Sequence, residues 1–186
     1  MSVEKTAIST VTGLMALAVR TAPKAKGVDT ILVHVAEGKE LKSLSKVMTA
    51  FGNAHSLPFF LRDAQNVAAS IACVIIGVEG DSVVGLNCGA CGFSTCAELA
   101  GERTKRKART TPFTGPNCAV RMTDLGIAVG SAVKTAQIHN VDNRVMYTAG
   151  TAAVELGLMG KKCTVAYGIP LSVSGKNIYF DRVFTK

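Results

Sequence analysis

The 186-residue chain has no tryptophan, and aromatic residues make up only 5% of it. Its interior must therefore be built from aliphatic and small side chains, chiefly Ala, Val, Leu and Ile within a hydrophobic share of 48%. Small side chains at a contact let helix axes approach closely. Charged residues are also few, at 18%, which excludes a disordered or collagen-like chain and favours a compact globule. No apolar run approaches the roughly 20 residues needed to cross a bilayer; stretches such as Val67–Val78 fall short. The first ten residues carry Glu4 and Lys5 and lack an apolar block with a cleavage site, so no signal peptide is expected. A cytoplasmic location follows as an expectation, and with it reduced thiols. Also missing are a nucleophile elbow, a P-loop and a G-x-G-x-x-G fingerprint.

Acidic residues are outnumbered 13 to 21 by basic ones, for a formal charge of +8. Such an excess raises the question of nucleic acid, but no aromatic platform or recognised binding signature accompanies it. An acidic protein partner or an anionic small molecule would use the same charge. The length suits a single domain over residues 1–186.

Hydrophobic periodicity predicts interleaved helices and strands. Ile8, Val11, Leu14, Met15 and Ala18 mark a first helix ending before Pro23. Thr30–Ala36 reads as a buried strand, and Leu41, Leu44, Val47, Met48 and Phe51 mark a second helix. A short helix over Arg62–Ser70 feeds a strand over Ile71–Val78. A charged helix is expected over Thr95–Arg109, and a periodic one over Leu125–Ala136 with Gly126 and Gly130 four apart, allowing one close helix contact. A further helix over Asn143–Leu158, a strand over Cys163–Ile169 and an edge strand over Asn177–Phe180 complete an α/β or α+β pattern.

Six cysteines then need a reason other than disulfides, because three of them fall within nine residues. The motif is C-G-A-C-G-F-S-T-C followed later by P-N-C, a spacing of C-x2-C-x4-C-x21-C over Cys88, Cys91, Cys96 and Cys118. A four-iron cluster needs four converging thiolates, and one loop supplying three of them fixes most of the geometry. Gly89 and Gly92 remove side chains where backbone must wrap the cluster, and free N–H groups to point at sulfur. The helix start near Cys96 and the basic run Arg103, Lys105, Arg106, Lys107 and Arg109 both favour an anionic centre, although a basic run is commonly just a solvated face. Zinc accepts the same four thiolates, usually as two paired knuckles. A C-G-A-C dithiol would leave Cys96 and Cys118 idle. Cys73 and Cys163 sit in apolar runs and read as core residues.

The segment Asn87–Cys118 resembles the four-cysteine motif of the corrinoid iron–sulfur protein and of the B subunit of the Rnf electron-transport complex, with a longer gap before Cys118. Through NCGACGFSTC, GPNC, DLGIAVGSAVKTA, VDNRVMY, GIPLS and KNIYFDR, most of residues 10–186 is similar to a family of ferredoxin domain-containing proteins. That resemblance implies an iron–sulfur cluster, here a [4Fe–4S] cluster held by a segment over residues 87–118. Leu14–Val47, Asp124–Ala136, Ala152–Leu158 and Tyr167–Pro170 are similar to flavin-dependent nitroreductases. This second resemblance implies a nitroreductase-like domain, a central mixed or antiparallel sheet flanked by helices with the cluster loop inserted. It also implies a homodimer with FMN at the interface. The chain departs from it where the basic R-R-S-x-R type segment that grips the flavin phosphate would stand, and Lys24 replaces the usual Ser after Ala22–Pro23. The functions left open are an iron–sulfur oxidoreductase component, a non-enzymatic carrier docking on a redox partner protein, and a zinc-stapled structural module.

Of the remaining polar residues, Asp142, Asn143 and Arg144 read as a helix N-cap with an arginine pairing across a buried turn, or as the lining of a pocket. Asp181–Arg182 invites the same two readings. His34 reads as a core histidine, while His55 and His139 have no metal-ligand spacing.

Overall fold

The computed structural model describes residues 2–104 and 111–180, with side chains described to 102 in the first stretch. Much of the predicted basic run, Lys105 to Arg109, and the pair Asp181–Arg182 lie outside the described residues, as does the side chain of Arg103. Helix α1 (Val3–Thr21) leads to strand β1 (Ile31–Glu37), α2 (Lys39–Ala54), α3 (Pro58–Ala69) and β2 (Ala72–Val78). Then follow α4 (Cys96–Thr104), α5 (Ala119–Ile138), the two-residue β3 (Asp142–Asn143), α6 (Tyr147–Glu155) and β4 (Val165–Ser172).

The four strands form one sheet in the order β1-β2-β4-β3, antiparallel throughout. Alternation along β2 divides the core. Val74, Ile76 and Val78 face one side, where Ile8, Val11, Met15 and Val19 of α1 meet Leu125, Ala128, Ala132 and Ala136 of α5. Cys73 and Ile75 face the other, against Leu44 and Met48 of α2, Phe60 and Val67 of α3, and Ala149 and Ala153 of α6. A central strand buried on both faces reads as a continuous apolar run, which is why A-C-V-I-I-G-V shows no polar alternation.

Helix α6 packs on β4 at backbone distance. A Cβ on Gly150 would fall 1.9 Å from the Ala166 carbonyl oxygen, and one on Gly168 would fall 2.5 Å from the Ala149 Cβ. Met146 and Gly168 exchange backbone hydrogen bonds of 2.7 and 2.9 Å, locking the start of the helix to the strand.

Several expectations are corrected. Strand β1 is at the sheet edge and half-buried, so His34 is not a core residue; its Nε2 instead meets Glu40 Oε2 at 2.8 Å on the partly open surface. Helix α1 turns Ile8, Val11, Met15 and Val19 inward and leaves Leu14 on the surface. Asp142 and Asn143 pair with Ser172 and Leu171 as a short strand, so the helix begins only at Tyr147 and Met146 stands at its N-cap. Asp142 accepts a bond from Asn177 Nδ2, while Arg144 donates to the Tyr179 carbonyl and stacks over Phe180, so the two do not form the expected cap and pair. Asn177–Phe180 is a turn, anchored by Tyr179, whose hydroxyl shares a buried 2.8 Å hydrogen bond with Ser70 Oγ. No helix among the described residues is long and apolar enough to cross a membrane.

Candidate metal centre

The long excursion between β2 and α5 carries the four cysteines, and its local structure follows from its residues. Thr95 and Glu98 form a capping box at the start of α4. The Thr95 hydroxyl accepts the Glu98 N–H at 3.2 Å, and the Glu98 carboxylate accepts the Ser94 N–H at 3.0 Å. Cys96 is thereby the first residue of the helix. Asn87, in a left-handed conformation (φ 48), bonds Cys96 in both directions. Its side-chain oxygen accepts the Cys96 N–H at 2.8 Å, and its own N–H points at Cys96 Sγ at 3.4 Å. That N–H, joined by the amides of Gly85 and Leu86 and by the charge of Lys26, holds the Cys96 thiol below the usual range. Hydrogen-bond donors and a positive charge favour the thiolate, the form that ligates metal.

Gly89 and Gly92 both adopt positive φ (71 and 87) and close a turn through a 2.9 Å bond from the Gly92 N–H to the Gly89 carbonyl. This turn brings Cys91 back onto a small apolar cluster with Val84, Leu99, Phe93 and Cys118, while Cys88 stays exposed. Cys118 arrives from the other end of the excursion. It is the N-cap residue of α5, nearly fully buried, and its N–H donates to the Gly80 carbonyl at 2.7 Å. The sequence placed the helix six residues later, and the earlier start puts Cys118 at its positive end.

Arg121, which sequence reasoning passed over, ties the two ends together. It is 2% exposed. Its guanidinium donates to the carbonyls of Ser82 (3.0 Å), Val28 (3.0 Å) and Ala25 (3.5 Å) and to Asp124 Oδ2 (3.1 Å). Asp124 in turn accepts the Ala25 N–H at 2.9 Å. One buried ion pair, three residues beyond Cys118, thus holds the 25–28 turn beside the 82–86 segment that leads into Cys88. The available signal was an Arg and an Asp at i, i+3 in the first turns of a helix with few other charges.

The structure therefore gathers the predicted cysteines into one region, Cys91 and Cys118 in a shared apolar cluster and Cys88 and Cys96 on either side of the loop. It does not set them on a common coordination sphere: among the described residues, no group of three or more His, Cys, Asp or Glu side chains is arranged to hold a metal ion. The donor chemistry nevertheless fits an iron–sulfur cluster, with four thiols, backbone N–H groups directed at the Cys96 sulfur, and Cys118 at a helix N-terminus. Cys73 and Cys163 are set apart in the core, where burial pushes their thiols up to about 12 and about 11. Lys24 accounts for the departure at the Ala22–Pro23 turn. Its Nζ donates to the Val19 and Arg20 carbonyls at 2.7 and 2.6 Å, capping the C-terminus of α1.

An antiparallel sheet with helices on both faces, closed by α6 lying on β4, is the nitroreductase fold. The chain superposes on nitroreductase CinD from Lactococcus lactis, solved with chloramphenicol, with a TM-score of 0.60 and 14% identity over 96% of this chain and 84% of that one. It also matches the NADPH:FMN oxidoreductase from Vibrio harveyi, solved with NAD+, with a TM-score of 0.54 and 10% identity over 95% of this chain. The chain spans only 62% of that enzyme and 60% of nitroreductase A from Vibrio parahaemolyticus. Residues 114–182 match the family described as "Uncharacterized protein containing a ferredoxin domain", and residues 85–111 match the family described as "Putative Fe-S cluster". An uncharacterized protein from Archaeoglobus fulgidus is 45% identical over 91% of this chain and 88% of its own length. The chain belongs to this family of ferredoxin-domain proteins.

Proposed function

We propose that this protein is an electron-transfer protein, or an oxidoreductase component, built around one [4Fe–4S] cluster held by Cys88, Cys91, Cys96 and Cys118. The observation that carries it is the hydrogen bonding at Cys96, where backbone amides and Lys26 favour a thiolate inside a segment matched by an iron–sulfur family. When bound, such a cluster accepts and donates one electron at a time. The chain's own residues supply the rest. Asn87 and its neighbours stabilise sulfur charge at Cys96, Val84 and Leu99 exclude water behind Cys91 and Cys118, and Arg121 holds the two arms of the site together. The Lys24 ammonium is committed to capping α1, so position 24 does not take the part of the usual Ser, and the reading is built on the cluster rather than on FMN.

Metal and sulfide analysis with an absorption spectrum on anaerobically purified protein tests the proposal. About four irons and four sulfides per chain, with broad thiolate-to-iron absorption, are the expected result. Stoichiometric zinc without colour would replace the proposal with a structural zinc module, and a flavin spectrum would restore FMN.

The same reading includes a homodimer. Gly13 of α1 and Gly126 and Gly130 of α5 have open space where a side chain would stand, beside exposed Leu14, Leu17 and Ile127. The close contact that Gly126 and Gly130 permit is thus not made among the described residues. Glycine within a helix costs about 1 kcal/mol relative to alanine, a cost that close packing against a second copy would offset. Light scattering is expected to give a dimer, and Gly130→Arg a monomer; a monomeric parent protein would remove the dimer from the account.

A further inference from the structure

We propose that the surface formed by Lys26, Val28 and Leu86, beside Cys88 and Cys96, docks an acidic electron-carrier protein. The inference rests on the iron–sulfur reading and adds its partner. Arg121 bonds the Val28 and Ser82 carbonyls, which places the 25–28 turn alongside the 82–86 segment. Lys26 comes close enough that a Cβ on Gly85 would stand 4.0 Å from its Nζ. Val28 is 49% exposed on the 25–28 turn, and Leu86 is 51% exposed two residues before the exposed Cys88. Exposed single aliphatics need no explanation, but a pair flanked by a cation at a redox centre has the composition of a docking site, an apolar contact with a charged rim.

Charge selects the occupant. Asp29, on the same turn, is neutralised by Arg20 at 2.6 Å and Lys24 at 3.8 Å. Lys24 is itself 5% exposed at its side chain, so Lys26 is the cation this turn presents outward. With a formal charge of +8 on the whole chain, an acidic partner is attracted, whereas a basic one is repelled. In the complex, one electron leaves the reduced carrier and enters this chain's redox centre, with no bond formed or broken.

The test measures binding of an acidic [2Fe–2S] ferredoxin to the iron-loaded protein by calorimetry, at low and high ionic strength. Lys26→Glu is expected to weaken binding about tenfold at low salt through charge reversal at the rim. The difference should shrink as salt rises and screening sets in. Leu86→Asp is expected to weaken binding at both salt concentrations. Both side chains are exposed, so neither substitution removes core packing. Affinity unchanged in both variants, or a basic carrier such as cytochrome c binding as tightly as the acidic one, would overturn the proposal. Iron analysis of the same samples separates the two readings. Protein full of iron that ignores both substitutions overturns the docking surface alone, while iron-free protein overturns both.

Discussion

Arg121→Ala is expected to destabilise the protein by about 3–5 kcal/mol, the usual result of removing one partner from a buried ion pair. The loss is large because the guanidinium serves four acceptors. Without it, the Ser82, Val28 and Ala25 carbonyls lose a donor, and the buried Asp124 carboxylate loses its guanidinium partner while keeping the Ala25 N–H. Each unmet buried group carries its own desolvation cost. The effect is expected to be local as well as global. The 82–86 segment is released from α5, so the three-cysteine loop is no longer held near Cys118. Iron content should therefore fall in Arg121→Ala even in the fraction that remains folded. Arg121→Lys, which keeps the charge but not the forked donor geometry, is expected to lie between the two. Chemical denaturation and iron analysis on the same samples check this. Full stability in Arg121→Ala would show that the staple is not needed.

Gly150→Ala is the second large effect. The new methyl would stand 1.9 Å from the Ala166 carbonyl oxygen and 2.7 Å from the Tyr167 nitrogen, both backbone atoms of a central strand. Backbone of this kind cannot yield as a flexible side chain would, so α6 must lift from β4 and break the paired bonds between Met146 and Gly168. Overpacking typically costs about 1–3 kcal/mol and more where nothing can move, so a loss of at least about 3 kcal/mol is expected. In a chain of this size that corresponds to a fall in Tm of roughly 10 °C. The same substitution at Gly101 in α4 meets open space and is expected to be neutral or mildly stabilising. Thermal unfolding of the two variants decides it. An unchanged Tm for Gly150→Ala would mean that the helix and strand are farther apart than described.

Much of this was legible in the sequence. The helix and strand order could be read from periodicity, and the antiparallel, helix-flanked sheet agrees with the expected class. What escaped was set by partners distant in the chain. His34 looks like a core residue because its neighbours Leu32, Val33 and Val35 are apolar, but only sheet order reveals that β1 is the edge strand among the described residues. Asp142 and Asn143 look like a helix cap because helix formers follow, yet they pair with strand β4, 30 (172 − 142) and 28 (171 − 143) residues away. Phe180 and Ile178 suggest a strand, but Tyr179 is drawn inward to Ser70 and makes a turn instead. In the candidate site, the cysteine spacing gave the proposed ligand set, and the charged helix was expected from Thr95, one residue before α4 begins. Arg121 was not legible as a staple, because its partners are backbone carbonyls of loops 39 (121 − 82) and 93 (121 − 28) residues away. Backbone acceptors leave no trace in side-chain identity.

The most direct test of the central claim is iron and acid-labile sulfide per chain in anaerobically purified protein, measured for the parent and for single Cys→Ala variants at all six cysteine positions. The account predicts about four irons and four sulfides in the parent, loss in Cys88→Ala, Cys91→Ala, Cys96→Ala and Cys118→Ala, and retention in Cys73→Ala and Cys163→Ala. Full iron in Cys118→Ala, or equal loss at Cys73 or Cys163, would contradict the proposed ligand set.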